Sequence, residues 1–154
     1  MSRLEPGTKA PNFTLTDQDG RRVSSASLKG ERYVIYFYPE DDTPGCTVEA
    51  CGFRDEFAQF TDLGVRILGV SPDDGPSHVA FRVKYGLDFD LLSDPSKTTM
   101  AAYGAYGEKM LYGKTVVGVI RSTFVVGPTG LIEHAWYGPR TQGHAQRVRG
   151  ALEG

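Results

Sequence analysis

The sequence predicts an α/β fold in which helices flank a central mixed β-sheet. Segment 33–38 is aromatic and β-branched throughout, which is typical of a strand that is buried on both faces. Predicted strands and helices then alternate through the middle of the chain, and the Gly-Pro-Thr-Gly turn signal at 127–130 predicts a closing hairpin. Because the 154 residues contain no repeat and no linker, we expect one domain, residues 1–154.

Turn signals and helix breakers separate the predicted elements along the chain. The first two strands flank the turn signal at 17–20 and form an N-terminal hairpin. Pro39 ends the third strand, and Gly64 ends the long helix that follows it. The predicted segments are strands 12–16, 21–24 and 33–38, helix 46–62, strand 65–71, helix 77–85, strand 90–92, helix 97–103, loop 104–113, strands 116–126 and 131–137, and helix 144–152.

Charge and hydropathy exclude several classes of partner. A formal net charge of −2 argues against a nucleic acid or an anionic membrane surface as the main partner. The N-terminus lacks the apolar core of a signal peptide, and no run approaches the roughly 18 apolar residues of a membrane span. The expected compartment is therefore the cytoplasm.

The two cysteines, Cys46 and Cys51, lie close together in the sequence. In a cytosolic chain, such a pair is more often catalytic or metal-binding than a structural crosslink. A tetrahedral zinc site needs four ligands, whereas His78, His134 and His144 lie far away and show no ligand spacing. Metal binding is thus the weaker hypothesis, although a fold can gather distant ligands.

The spacing of the cysteines constrains how they can react with each other. On one α-helix, a five-residue step advances about 7.5 Å along the axis and rotates about 140° around it. The Cα atoms are then about 8.6 Å apart, beyond the roughly 7 Å limit for a disulfide. A bond between Cys46 and Cys51 would therefore require the first helical turns to unwind.

Cys46 begins an apolar stripe on the predicted helix. The first turn of a helix offers free backbone N–H groups and the positive end of the dipole, which favour a thiolate over a thiol. Pro44 suits a helix start, and Gly45 permits close backbone approach. The stripe, which we expect to face the core, comprises Cys46, Glu49, Phe53, Phe57 and Phe60.

Residues 39–46 match the pattern Pro-x-x-x-Thr-x-x-Cys, and Glu49 extends it to Thr-x-x-Cys-x-x-Glu. This pattern resembles the signature of the peroxiredoxins, and segment 121–124 is similar to the part of that family that carries an active-site arginine. Cys51, five residues after Cys46, resembles the bacterioferritin comigratory protein (peroxiredoxin Q) subfamily, as do segments 112–114 and 143–145. The resemblance spans nearly the whole chain and implies a thioredoxin-like fold.

The resemblance implies a thiol-dependent peroxidase. Cys46 would be the peroxidatic cysteine, whose thiolate attacks the O–O bond of a hydroperoxide and becomes a sulfenic acid. Cys51 would then form an intramolecular disulfide with it, and thioredoxin or a similar dithiol donor would reduce that bond. The same resemblance implies no metal and no organic cofactor, and we expect a monomer because no partner subunit is needed for resolution.

The resemblance also implies roles for the residues around Cys46. Thr43, Gly45 and Arg121 would bind the peroxide together with the sulfur. A fixed cation such as Arg121 favours the thiolate and stabilises charge on the leaving oxygen. Pro39 would shield the site from water, and Glu49 would orient Arg121.

One position departs from the subfamily, whose members often carry lysine directly after the signature proline. Glu40 stands there instead, and with Asp41 and Asp42 it predicts an acidic entrance to the site. Simpler interpretations exist for several of the residues singled out. These are a strand-surface arginine for Arg121, an N-terminal cap for Thr43, an acid complementing the helix dipole for Glu49, a solvated loop for Asp41 and Asp42, and a surface residue without a role for His144.

Three other functional classes can be weighed against the peroxidase. A thiol–disulfide oxidoreductase would use the same cysteines, but its Cys-x-x-Cys motif is absent. A metal-linked or redox-sensing protein would need further ligands near Cys46, where the sequence offers only carboxylates. Segment 113–115 ends like a P-loop, but Glu108 stands where the first glycine belongs, so nucleotide binding fails.

Overall fold

A computed structural model describes residues 3–153 of the chain. In this part the strands are β1 (Thr14–Thr16), β2 (Arg22–Ser24), β3 (Arg32–Phe37), β4 (Val65–Ser71), β5 (Asp90–Ser93), β6 (Tyr106–Leu111), β7 (Lys114–Val119), β8 (Ser122–Val126) and β9 (Ile132–Tyr137). The helices are α1 (Pro44–Asp55), α2 (Phe57–Asp62), α3 (Gly75–Tyr85), α4 (Thr98–Ala102) and α5 (His144–Glu153), and a short 3-10 turn covers Ala26–Leu28.

Seven strands form a central sheet in the order β2-β1-β5-β4-β3-β8-β9. Strands β3, β4 and β5 are parallel, whereas β8 pairs antiparallel with β3 and β9 pairs antiparallel with β8. The β1–β2 hairpin attaches to β5 through the antiparallel pair Thr16 and Ser93. The predicted α/β fold with a mixed sheet and an N-terminal hairpin is thereby confirmed.

The central strand β3 separates two apolar cores because its side chains alternate between the faces of the sheet. Ile35 and Phe37 enter one core, which also contains residues of α4 and β8. Tyr36 and Tyr38 enter the other, where α1, α2, α3 and α5 cover the sheet. Cys46 lies in this second core, so the site is built on the helix-rich face.

The prediction of a loop at 104–113 is wrong. Residues Tyr106–Leu111 form β6, which pairs with β7 in a separate two-stranded sheet. Tyr112 and Gly113 connect the strands with positive φ angles of 52° and 78°, as a two-residue hairpin turn requires. The abundance of glycine and tyrosine in this segment marks a hairpin rather than a loop.

The predicted strand 116–126 is divided into β7 and β8. The break falls at Ile120 and Arg121. The backbone N–H of Ile120 still bonds to Ala105 O at 2.7 Å, next to the last pair of the β6–β7 ladder, and pairing with β3 begins at Ser122. Ser122, the first residue of β8, pairs with Phe37, the last residue of β3. Arg121 therefore lies at the carboxyl end of β3, where the chain turns into α1.

The predicted helix 46–62 also differs from the structure. It begins two residues earlier, at Pro44, and is interrupted at Glu56, whose backbone leaves the helical region with φ −99° and ψ 5°. The interruption shifts the stripe, so Phe57 is only half-buried while Cys46, Glu49 and Phe53 are buried. None of the helices within residues 3–153 combines the length and the apolarity needed to cross a membrane.

Candidate active site

Cys46 lies in the first turn of α1 with 1% of its surface exposed. Thr43 precedes the helix in an extended conformation, and Pro44 occupies the first helical turn, where its missing N–H costs nothing. The Thr43 side chain makes no capping hydrogen bond; its Oγ1 instead donates to Glu40 O at 2.9 Å. Thr43 thus occupies the N-cap position that its simpler interpretation gave it, but its hydroxyl bonds to the preceding loop and not to the N–H groups of the helix.

The guanidinium of Arg121 joins Cys46 and Glu49. Its Nη2 lies 3.4 Å from Cys46 Sγ, and its Nη1 donates to Glu49 Oε1 at 2.8 Å. Glu49 is fully buried, whereas 19% of the Arg121 side chain is exposed. The structure thus brings together Cys46, Glu49 and Arg121, and Arg121 is not a plain strand-surface arginine.

Gly45 lies under the arginine. A Cβ atom at this position would be 3.2 Å from Arg121 Nη2 and 3.8 Å from Thr141 Cγ2. The first of these separations is tighter than ordinary van der Waals contact. A side chain at Gly45 would require the guanidinium to shift by a few tenths of an ångström, so glycine favours its present position beside the sulfur.

The buried charges of the site influence each other. Burial raises the pKa of Glu49 to about 7, although the neighbouring Arg121 acts in the opposite direction. Burial alone would lower the pKa of Arg121, but Glu49 and Cys46 raise it above its ordinary value. The guanidinium is thus a permanent cation that faces two groups able to become anions.

His144, expected at the surface, is fully buried at the start of α5. Its Nε2 lies 2.8 Å from Thr123 Oγ1 and 4.0 Å from Glu49 Oε2, and its ring packs edge-on against Phe53 and Trp136. Burial, with Arg147 and Arg121 nearby, lowers the pKa of His144 to about 4, so the ring is neutral. Its place beside Glu49 was missed, and the resemblance of segment 143–145 was the only signal for it.

The predicted acidic entrance is wrong for two of its three members. Asp41 is buried against His78, with Oδ2 2.7 Å from Nδ1 of the imidazole. Asp42 is paired with Lys84 at 2.7 Å. Glu40 remains exposed, so the loop presents far less uncompensated negative charge than its sequence indicates.

Cys51 and Pro39 lie outside the contacts that join Cys46, Glu49 and Arg121. Cys51 is half-buried on α1, and both cysteines are free thiols. Pro39 is half-buried directly after Tyr38, beyond the end of β3. Within residues 3–153, no group of three or more His, Cys, Asp and Glu side chains is arranged to hold a metal ion.

Known proteins of one family are similar to this chain over nearly its whole length. Residues 6–135 match the AhpC/TSA family. The chain is similar to a putative peroxiredoxin of Mycobacterium tuberculosis, with 52% identity over 148 residues that cover 96% of this chain and 94% of the relative.

Two solved structures from Xanthomonas campestris are also similar. One is a peroxiredoxin Q, with a TM-score of 0.89, 38% identity and 96% of each chain covered. The other is a bacterioferritin comigratory protein, whose complex structures address its alkyl peroxide reduction activity; it has a TM-score of 0.89, 37% identity, and coverage of 97% of this chain and 98% of that one. The chain therefore belongs to the AhpC/TSA family as a peroxiredoxin of the bacterioferritin comigratory protein (peroxiredoxin Q) group, and it is a thiol-dependent peroxidase.

Proposed function

We propose that the protein reduces hydrogen peroxide and organic hydroperoxides through Cys46, resolves the product through Cys51, and is recycled by thioredoxin or a similar dithiol. The observation that carries the proposal is the guanidinium of Arg121, which contacts Cys46 Sγ while Glu49 fixes its other edge. A cation held at 3.4 Å from a sulfur in a helix N-terminal turn favours the thiolate.

In the first step the Cys46 thiolate attacks the terminal oxygen of the hydroperoxide. An S–O bond forms and the O–O bond breaks, so the sulfur is oxidised by two electrons and becomes a sulfenic acid. The leaving oxygen departs as an alkoxide or hydroxide and takes up a proton, giving an alcohol or water. Arg121 lies where it can stabilise the charge that develops on these oxygens.

Thr43 supplies the complementary contact. Its hydroxyl hydrogen is used in the bond to Glu40 O, so the lone pairs of Oγ1 are left to accept. A hydroperoxide that carries its proton can donate to Oγ1 while its oxygens accept from Arg121. Pro39, half-buried beside this loop, excludes water from that edge.

In the second step the Cys51 thiol attacks the Cys46 sulfenic acid. An S–S bond forms and the hydroxyl leaves as water. Both residues lie within α1, so the first turns of this helix have to unwind before the sulfurs meet. A dithiol donor then reduces the bond by thiol–disulfide exchange, and both thiols are restored.

Alkyl hydroperoxides enter the proposal because the similar X. campestris protein is described by its alkyl peroxide reduction activity. Resolution within one chain needs no second subunit, so we expect a monomer. We also expect a cytoplasmic location, where thioredoxin-type donors keep thiols reduced.

Intact-mass analysis of the reduced protein after one equivalent of hydrogen peroxide, followed by peptide mapping, tests the proposal. We expect the loss of two hydrogens and a bridge between Cys46 and Cys51 in the monomeric protein. An unreacted protein would reject the peroxidase mechanism at Cys46. A sulfenic or sulfinic product at Cys46 without a bridge would preserve the nucleophile and remove the resolving role of Cys51.

Two variants separate the steps. Cys46→Ser should abolish peroxide consumption, whereas Cys51→Ser should consume the first equivalent at the wild-type rate and then accumulate overoxidised Cys46. Both variants replace a sulfur by an oxygen on the same helix. A difference in peroxide consumption between them therefore reflects the position of the cysteine and not the loss of a thiol as such. Equal early consumption by Cys46→Ser and wild type would contradict the assignment.

A further inference from the structure

The loop between β3 and α1 is anchored by a carboxylate that its sequence places in solvent. Only 4% of the Asp41 side chain is exposed. Its Oδ1 accepts from the Tyr38 hydroxyl, and its Oδ2 accepts from Ser77 Oγ at 2.8 Å and faces His78 Nδ1 at 2.7 Å. The backbone N–H of Asp41 donates to Asp73 Oδ2 at 2.7 Å. Four hydrogen bonds therefore tie this one residue to Tyr38 just after β3, to α3, and to the segment between β4 and α3.

The imidazole of His78 has a partner at each ring nitrogen, Asp41 at Nδ1 and Leu92 O at Nε2. His78 is fully buried, and its Nε2 lies 3.0 Å from Leu92 O. A carbonyl oxygen only accepts, so Nε2 carries a hydrogen. The imidazole is thereby held between Leu92 O on one side and the Asp41 carboxyl group on the other.

The anchored residue is directly connected to the hydroxyl that we assign to substrate. Thr43 Oγ1 donates to the carbonyl oxygen of Glu40, the residue before Asp41. The position of this carbonyl decides which way the Thr43 hydrogen points, and hence in which direction the lone pairs of Oγ1 remain free to accept. Asp41 thus sets the orientation of Thr43 through one peptide unit.

We propose that Asp41 and His78 are positioning residues for peroxide reduction, which hold the Thr43 hydroxyl as a hydrogen-bond acceptor for the hydroperoxide at Cys46. The inference rests on the proposed function and adds to it two residues that do not touch the substrate. Their effect is on the geometry of the peroxide contact and not on the sulfur, because Arg121 and Glu49 contact the sulfur side of the site independently of this loop.

The neighbouring Asp42 provides a matched control. Its side chain is 40% exposed and bonds to Lys84 Nζ and to the Tyr85 hydroxyl, each at 2.7 Å. Its φ of 58° is a conformation that asparagine tolerates well, so Asp42→Asn keeps the backbone. The same substitution can therefore be made at a buried and at an exposed position of one loop.

The test compares two reactions of Cys46 in the full-length protein. The first is the second-order rate constant for oxidation by hydrogen peroxide, and the second is alkylation by iodoacetamide, mapped to Cys46 by peptide mass. Asp41→Asn should lower the peroxide rate about 10- to 100-fold because the peroxide contact is misplaced. Alkylation should be unchanged within error, since iodoacetamide does not use Thr43. Asp42→Asn should change the peroxide rate by less than about twofold, as expected for an exposed pair.

A double-mutant cycle identifies the route of the effect. Thr43→Val removes the acceptor and keeps the shape, so Asp41→Asn should add no further loss of peroxide rate in its presence. Losses that multiply would reject action through Thr43. His78→Gln is a second variant, in which Asp41 is intact. It should also slow the oxidation of Cys46 by peroxide and leave its alkylation rate unchanged.

A failure of this inference can be told apart from a failure of the proposed function. A wild-type protein that fails to oxidise at Cys46 rejects the function and this inference together. A wild-type protein that oxidises rapidly, with Asp41→Asn and His78→Gln equally fast, rejects only the inference. A parallel fall of both reactions in a variant also rejects it, because it reports disruption of the cysteine and not of the peroxide contact.

Discussion

Arg121 and Glu49 form a buried ion pair of 2.8 Å although 72 positions separate them in the chain. Glu49 occupies one edge of the planar guanidinium and so directs the other edge at Cys46 Sγ. A guanidinium can serve two partners at once because its donors form a rigid fork, whereas an ammonium group acts as a point charge.

This arrangement predicts that Arg121→Lys cannot replace arginine. A lysine ammonium cannot contact Glu49 and Cys46 in the same geometry, so the rate of Cys46 oxidation should fall about 100- to 1000-fold. Single-turnover peroxide consumption measures this rate. Arg32→Lys is the matched control, since Arg32 forms a two-bond pair with Glu133 at the opposite end of β3. An unchanged rate in Arg121→Lys would make the arginine structural.

Gly45→Ala should separate stability from reactivity. Alanine favours a helix over glycine by up to about 1 kcal/mol, so the free energy of unfolding should stay equal or rise. The new Cβ would meet Arg121 Nη2 at 3.2 Å and displace it from the sulfur, so peroxide oxidation should slow about tenfold.

The control for this variant is Gly150→Ala on α5, where an added Cβ has no neighbour within 4 Å. It should match or exceed wild-type stability in urea unfolding and oxidise at the wild-type rate. A Gly45→Ala protein that oxidises as fast as Gly150→Ala would show that the guanidinium tolerates the methyl group.

The winding of α1 should depend on pH through Glu49. Burial raises the pKa of Glu49 from 4.5 to about 7 in the wound helix, so the wound state binds the proton more tightly than an unwound, solvated one. The stabilisation is fully present below pH 4.5 and is lost as the pH rises through about 7. Between pH 5.5 and 8 the wound state should lose about 2 kcal/mol relative to the unwound state.

Hydrogen exchange of α1 amides, corrected for intrinsic rates and referred to α3, measures this loss. Protection of α1 should fall with rising pH in the wild-type protein. Glu49→Gln keeps the shape without the titration, so its α1 protection should be independent of pH. Wild-type protection that stays flat, or a Glu49→Gln protein that keeps the pH dependence, would assign the proton to another group.

The hydrogen bond between Thr123 and His144 should contribute to stability. Thr123→Val removes the hydroxyl 2.8 Å from Nε2 and leaves a buried nitrogen without this partner, at a cost of about 1–3 kcal/mol in unfolding free energy. Thr115→Val on the exposed β6–β7 hairpin is the control and should stay within about 0.5 kcal/mol of wild type. A Thr123→Val protein as stable as its control would show that the bond contributes nothing net.

Several features were predictable because they depend on short stretches of sequence. The run from Tyr33 to Tyr38 is predictable as a buried strand, since every side chain in it is aromatic or β-branched, and the sheet has cores on both faces. Pro44 and Gly45 favour a helix start, which places Cys46 in the first turn. The fold class and the position of the nucleophile on α1 follow from these local preferences.

The surroundings of Cys46 were decided by contacts between distant segments. Arg121 reaches the sulfur because Ser122 pairs with Phe37 and because β7 ends before β8 begins. Neither the strand register nor the interruption is visible in the composition of 116–126. His144, predicted at the surface, is buried because the start of α5 packs on α1.

Asp41 shows most clearly what the sequence and the tertiary structure each determined. The sequence by itself determined that a carboxylate stands two residues before Thr43, and charge alone predicted that water would surround it. The tertiary structure decided otherwise, because α3 supplies His78 and Ser77, and the end of β3 is followed by Tyr38, as partners for the buried oxygens. A charge enters the interior only where such partners converge, and their convergence is a property of the packed chain and not of any one segment.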